Sequence, residues 1–152
     1  EININEILES SLDLVSAQKG FERIDIKLDL GDVPPAMADT HQLQQVLINL
    51  FINAADAMPE GGTLTVKSGV RSQESGEYIE ISVADTGTGM GDDEIRKIFD
   101  PFYTTKEPGK GTGLGLAICM RIIESFGGRI EVASSRGEGS IFSILLPAKV
   151  RM

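Results

Sequence analysis

A two-layer α+β sandwich, a mixed sheet of about five strands with about three helices on one face, follows from three observations. Helical and strand periodicities succeed one another in the order α-β-α-β-β-α-β-β along 152 residues. Two pairs of strands are close enough in sequence to pair as antiparallel neighbours. The helical segments carry apolar side chains that a sheet must cover.

Each element has its own local cause. Residues 3–19 place Ile4, Ile7, Leu8, Leu12 and Val15 at helical spacing, with Asn3 or Asn5 as the cap. Residues 23–30 alternate through Ile24, Ile26, Leu28 and Leu30, the period of a half-buried strand, and Pro34-Pro35 ends it. Asp39, with Gln42 three positions on, forms a capping box that opens a helix of about five turns. That helix runs to Met58 and is closed by Pro59-Glu-Gly-Gly. Residues 63–70 and 78–84 read as strands joined by a polar loop containing Ser75-Gly76. A short helix is expected over 92–98, and residues 100–113 form a long loop rich in glycine and proline. Its length marks it as functional or mobile. A strongly apolar helix spans 114–126 and stops at Gly127-Gly128. Strands at 129–134 and 140–146 then make a hairpin around Arg136-Gly-Glu-Gly.

Length fits one domain over residues 1–152, large enough to bury a core. A hydrophobic content of 41% suits a soluble globular chain, and no apolar run reaches the roughly 18 residues that a membrane span needs. Neither direct membrane contact nor a signal peptide is expected, and the setting is read as cytoplasmic. The formal net charge of -9 argues against nucleic acid as a partner, because such proteins present a basic face. The one cysteine, Cys119, lies in an apolar helical pattern and reads as core. The one histidine, His41, reads as a surface residue in the first turn of its helix.

Three features carry chemistry. On the second helix Leu43, Val46, Leu47, Leu50, Phe51, Ala54, Ala57 and Met58 fill one face, while Gln45, Asn49, Asn53 and Asp56 collect on a narrower stripe. Asn49 and Asn53 are four apart and stack one above the other. Either the stripe is a solvated face, or its amide oxygens serve a Mg²⁺ ion that keeps waters and bridges phosphates. The second feature is Asp85-Thr-Gly-Thr-Gly-Met90 at a strand end. Asp85 either caps local amides or accepts a hydrogen bond from an adenine amine, where guanine would present an acceptor. Gly87 and Gly89 would let backbone approach a planar ring. The third is Gly111-Thr-Gly-Leu-Gly-Leu, opening an apolar helix whose N–H groups suit phosphate oxygens, with Lys110 and Lys106 adding charge. Close helix–sheet packing is the other use of such glycines. The spacing matches neither a Walker A loop nor a dinucleotide fingerprint.

Together these segments resemble the catalytic ATP-binding domain of sensor histidine kinases, in the superfamily that includes gyrase B, Hsp90 and MutL and shares the Bergerat ATP-binding fold. Residues 45–57, from Gln45 to Ala57, resemble its N box; 85–90 resemble the G1 box; 98–106 the F box; and 109–116 the G2 box. The resemblance implies an ATP site between the second helix and a flexible lid at about 101–111. It implies that Asn53 coordinates Mg²⁺, that Asn49 lies beside the phosphates and that Asp85 holds adenine, with Asp56 and Met90 in the same site. Phe99 and Phe102 would anchor the lid. Thr105, Lys106, Lys110, Gly111, Thr112, Gly113, Leu114 and Gly115 would line the phosphate end, and Ser140 would support Asp85 through water.

The resemblance further implies ATP and ADP as ligands, a phosphoacceptor histidine on a separate dimerisation domain, and a downstream response regulator. ATP-hydrolysing members carry glutamate where this chain has Asn49, and an amide cannot take a proton from water. Poor hydrolysis is therefore expected, which suits a kinase. A nucleotide-gated docking module without phosphotransfer is the alternative.

Overall fold

The computed structural model describes residues 1–100 and 115–148. The expected lid at 101–111 thus lies outside the described residues. Among the described residues nine elements follow one another: α1 (Ile4–Ser16), β1 (Ile24–Leu30), α2 (Thr40–Asp56), β2 (Gly62–Gln73), β3 (Gly76–Asp85), α3 (Asp92–Lys97), α4 (Gly115–Ser125), β4 (Arg129–Ser135) and β5 (Gly139–Pro147). The strands form one mixed sheet in the order β1-β2-β3-β5-β4, in which only β1 and β2 are parallel. Among the described residues no helix is long and apolar enough to cross a membrane.

The caps resolve the helix starts. Asn3 accepts a hydrogen bond from the Glu6 amide and so caps α1. Asn5 does something else: its amide donates to the Gly31 carbonyl at 2.8 Å and accepts from the Ser68 hydroxyl at 2.7 Å, tying α1 to the ends of β1 and β2. Asp39 accepts from the Gln42 amide at 2.9 Å and starts α2.

Two expectations are adjusted. The hairpin of β2 and β3 is longer than its apolar alternation, pairing out to Gln73 with Gly76 and leaving only Glu74 and Ser75 as the turn. Polar side chains extend it, because Arg71, Gln73, Tyr78 and Glu80 are all bonded on the outer face. On α2, Ala55 is buried and Ala57 only half-buried, the reverse of the expected edge of its apolar arc.

Register places successive rows of side chains on the helix-facing side of the sheet. One row is Val66, Val83, Phe142 and Val132; another is Ser68, Ile81, Ile144 and Ile130; Val70, Ile79 and Leu146 follow. Apart from Ser68, held by Asn5, and Val70, which is exposed, these rows are apolar and pack into the core with α1, α2 and α4.

Leu145 breaks the alternation. It lies between Glu80 and Arg129, on the face away from the helices, yet it is fully buried. Arg71 on β2 reaches over β3 and β5 to Glu131 on β4, at 2.8 Å, and also bonds Glu80. Arg129 reaches back to Gln73 on β2 at 2.9 Å and lies 5.5 Å from the Tyr78 ring centroid. The long side chains roof Leu145 with their carbon stems while their charged ends stay in water. The two arginines also hold the Glu131 carboxyl below its ordinary range. Leu145→Ala should therefore cost about 2–5 kcal/mol in urea unfolding, as a core leucine does. A loss below about 1 kcal/mol would mean that the roof admits water.

Candidate nucleotide site

The last row of the helix-facing side is different. Leu64 on β2 is followed by Asp85 on β3, Ser140 on β5 and Ser134 on β4, three polar side chains where the preceding rows are almost wholly apolar. Asp85 and Ser140 are both buried. Burial raises the Asp85 carboxyl above its ordinary value, and the backbone N–H groups of Gly87 and Ser140 only partly oppose this. The Gly87 amide donates to Asp85 Oδ1 at 2.9 Å. Among the described residues Asp85 has no cationic partner; a carboxylate buried in this way is costly, and such a group at a sheet end is a candidate binding residue.

The turn that follows is wedged between two backbones. A side chain at Gly87 would run into the Ala57 carbonyl at the end of α2, and one at Gly89 into the Ser135 carbonyl. Gly89 also has a φ of 68°, which favours glycine. The Thr88 amide donates to the Ala57 carbonyl at 3.1 Å, and the Thr88 carbonyl accepts from the Gly137 amide at 2.7 Å. Glycine is required here by close approach to protein backbone, a reason the sequence reading did not give. The hairpin is held further by Arg136, whose guanidinium meets Glu94 at 2.7 Å.

Asp85, Gly87, Gly89, Met90 and Ser140 thus gather in one cluster around the end of the sheet. Asn49 and Asn53 are half-buried on α2 and Asp56 is exposed, in the last turns before Ala57. Asn49 is tied to α4, its amide donating to Cys119 Sγ at 3.6 Å. Cys119 is buried and its thiol is pushed up by burial, in keeping with a core residue. His41 is exposed in the first turn of α2. Phe99 is half-buried against the core, and Gly115 begins α4 with open space where a side chain would be. Phe102, Thr105, Lys106, Lys110, Gly111, Thr112, Gly113 and Leu114 lie outside the described residues. Among the described residues no three His, Cys, Asp or Glu side chains gather as a metal cage.

Ser134 was missed by sequence reasoning. Its hydroxyl meets the Met90 amide at 2.8 Å, the Gly139 carbonyl at 2.9 Å and the Ser140 hydroxyl at 2.8 Å. The signal was present in β4, where Ile130, Val132 and Ser134 take alternate positions on one face.

Residues 38–150 match the family model described as histidine kinase-, DNA gyrase B-, and HSP90-like ATPase. The chain belongs to this family. It is 39% identical over 150 residues to sporulation kinase E of Bacillus subtilis and 39% identical over 150 residues to the sensor histidine kinase ZraS of Escherichia coli. Each alignment covers 98% of this chain, but the chain spans only 20% of the first relative and 31% of the second. The solved catalytic domain of histidine kinase ThkA is 32% identical with a TM-score of 0.79, over 95% of this chain and 94% of that one. Full-length ShkA in complex with AMPPNP is 29% identical with a TM-score of 0.83, over 99% of this chain and 31% of that one. The expected α+β fold is the fold of these domains.

Because the folded-state value of Asp85 is raised, its ionised form opposes folding. Stability attributable to it declines as pH rises from the unfolded carboxylate range through the raised value. Asp85→Asn, which keeps an acceptor for the Gly87 and Ser140 amides, should melt at the same or higher temperature at neutral pH. That advantage should vanish below the carboxylate range. A lower melting temperature for the variant at neutral pH would make Asp85 a structural carboxylate.

Proposed function

We propose that this chain is the ATP-binding catalytic part of a sensor histidine kinase, which binds Mg-ATP and directs the γ-phosphate to a histidine on a separate dimerisation domain. The observation that carries this reading is the buried Asp85 at the sheet end, with no cationic partner among the described residues, beside a glycine turn pressed against the last turns of α2. A carboxylate so placed accepts a hydrogen bond from the adenine amine and meets repulsion from the corresponding oxygen of guanine. Family membership supports the nucleotide, and the similarity to ShkA, solved with AMPPNP, supports ATP in particular.

The donor set suits Mg²⁺. Asn53 offers one neutral hard oxygen, which fits an ion that keeps most of its waters and takes its remaining ligands from phosphates. Bound there, the ion would neutralise phosphate charge. The protein's own part is positioning: Asp85 and the turn hold the base, while the α2 amides hold the phosphate end. Asn49 cannot act as a base toward water, so ATP is spared for the acceptor imidazole. Lys110, Lys106, Thr105, Thr112 and the glycines from Gly111 to Gly115 are assigned to the phosphate end by the family resemblance, and Phe102 to anchoring the lid. A response regulator would receive the phosphoryl group in turn, in the cytoplasm where ATP is available.

Calorimetric titration with ATP and GTP, with and without Mg²⁺, tests the site. Selective ATP binding, weakened at least tenfold by Asp85→Ala, is expected, since a hydrogen bond to a charged group contributes about 1.5–3 kcal/mol. Equal affinity for ATP and GTP, or an unaffected Asp85→Ala variant, would overturn the assignment of the base pocket. Asn53→Ala should reduce ATP affinity only when Mg²⁺ is present; equal loss without the metal would remove Asn53 from the metal site. Phosphotransfer is read by joining the chain to a domain bearing an acceptor histidine and following transfer from labelled ATP. ATP binding without transfer would leave the nucleotide-gated docking role in its place.

A further inference from the structure

The hydroxyl of Ser134 has one proton and three polar neighbours, and two of these have fixed roles. The Met90 amide can only donate, at 2.8 Å, and the Gly139 carbonyl can only accept, at 2.9 Å. If all three contacts are satisfied, Ser134 spends its proton on Gly139 and receives one from Met90. The third contact, 2.8 Å from the Ser140 hydroxyl, must then be donated by Ser140. Ser140 therefore has no hydroxyl proton left for anything else, and what it presents beyond Ser134 is oxygen lone pairs.

Ser140 is the cross-strand neighbour of Asp85 on β3, so both side chains stand on the same face of the sheet end. Both are buried. Asp85 as a carboxylate is also an acceptor only. We propose that Ser134 is a specificity-determining positioning residue: by taking the hydroxyl proton of Ser140 it makes the Asp85–Ser140 pair an all-acceptor edge. Such an edge recruits a purine carrying a 6-amino group and disfavours one carrying a 6-oxygen. The main-chain contacts of Ser134 favour this orientation, because reversing the Ser140 hydroxyl would take from the Gly139 carbonyl the proton that Ser134 gives it. This assignment rests on the nucleotide reading of the site and adds to it a residue that need not touch the ligand.

The test uses ATP and inosine triphosphate, whose bases differ in the 6-substituent without the 2-amino group of guanine. Affinities are measured by calorimetry for the wild type, Ser134→Ala, Ser134→Thr, Ser140→Ala and the double alanine variant. The readout is the ratio of the two dissociation constants, which a general loosening of the turn would not move. Ser134→Ala frees the Ser140 hydroxyl to donate toward a 6-oxygen, so the preference for ATP should fall roughly fivefold, about one neutral hydrogen bond. Ser134→Thr, which keeps the hydroxyl, should restore the preference. Ser140→Ala should also lower it, and adding Ser134→Ala to that variant should change nothing further.

An unchanged ratio in Ser134→Ala, with ATP and inosine triphosphate weakened equally, would reduce Ser134 to a structural tie. If Ser134→Ala does not fold, an unchanged ratio in Ser140→Ala alone overturns the proposal. A wild type that binds neither triphosphate would instead remove the nucleotide site itself, and one that binds both equally would remove the base pocket; either result takes this assignment with it.

Discussion

The close approach of the turn after β3 to two other backbones is the constraint on which the site depends. Gly87 lies against the carbonyl at the end of α2, and Gly89 against the carbonyl of Ser135 in the β4–β5 hairpin. The approach is reciprocal: a side chain at Gly139 would strike the Asp85 carbonyl. Main-chain hydrogen bonds continue the link, from Thr88 to Ala57 on one side and from Gly137 to Thr88 on the other. Three segments distant in sequence are thereby locked at main-chain distance, with no side chain intervening. That rigidity holds Asp85 in place, since its carboxylate accepts from an amide of the same turn.

A sheet can carry charge on its two faces in different ways, and this one uses both. On the outer face Arg71, Glu80, Arg129 and Glu131 are paired and partly solvated. Exposed pairs of this kind contribute about 0–1 kcal/mol each, so their larger effect is the shelter they give Leu145. On the helix-facing side Asp85 is buried with no cation beside it among the described residues, and its carboxyl is raised by desolvation. The first arrangement adds to stability, whereas the second subtracts from it. A buried carboxyl at the end of a sheet whose preceding rows are almost wholly apolar is what makes Asp85 a candidate binding residue.

Much of this was legible in the sequence because it rests on local rules. Periodicity separated helices from strands, Asp39 and its amide partner set the start of α2, and the apolar surroundings of Cys119 placed it in the core. Asp85 was legible as the polar end of an alternating strand. What escaped depends on contacts between distant segments. No local pattern tells that Arg71 reaches across two strands to Glu131, or that Leu145 is buried on the face away from the helices. The glycines of the turn were assigned to ligand approach, although protein carbonyls already require them. The register of the β2–β3 hairpin followed from side-chain bonds on its outer face, beyond the reach of apolar alternation.

The amide at Asn49 shows how a neighbouring helix narrows what a site residue can do. Its nitrogen points at Cys119 on α4, a buried thiol that is pushed toward the protonated form. With one N–H engaged by sulfur, the amide oxygen and the second N–H are left to serve the stripe it shares with Asn53. An oxygen acceptor there can orient a water or a phosphate-bound ion but cannot remove a proton. A glutamate at this position would bring its charge against the buried thiol, with no amide hydrogen to give it. The packing of α4 on α2 therefore suits an amide at residue 49, and an amide has no base with which to take a proton from water.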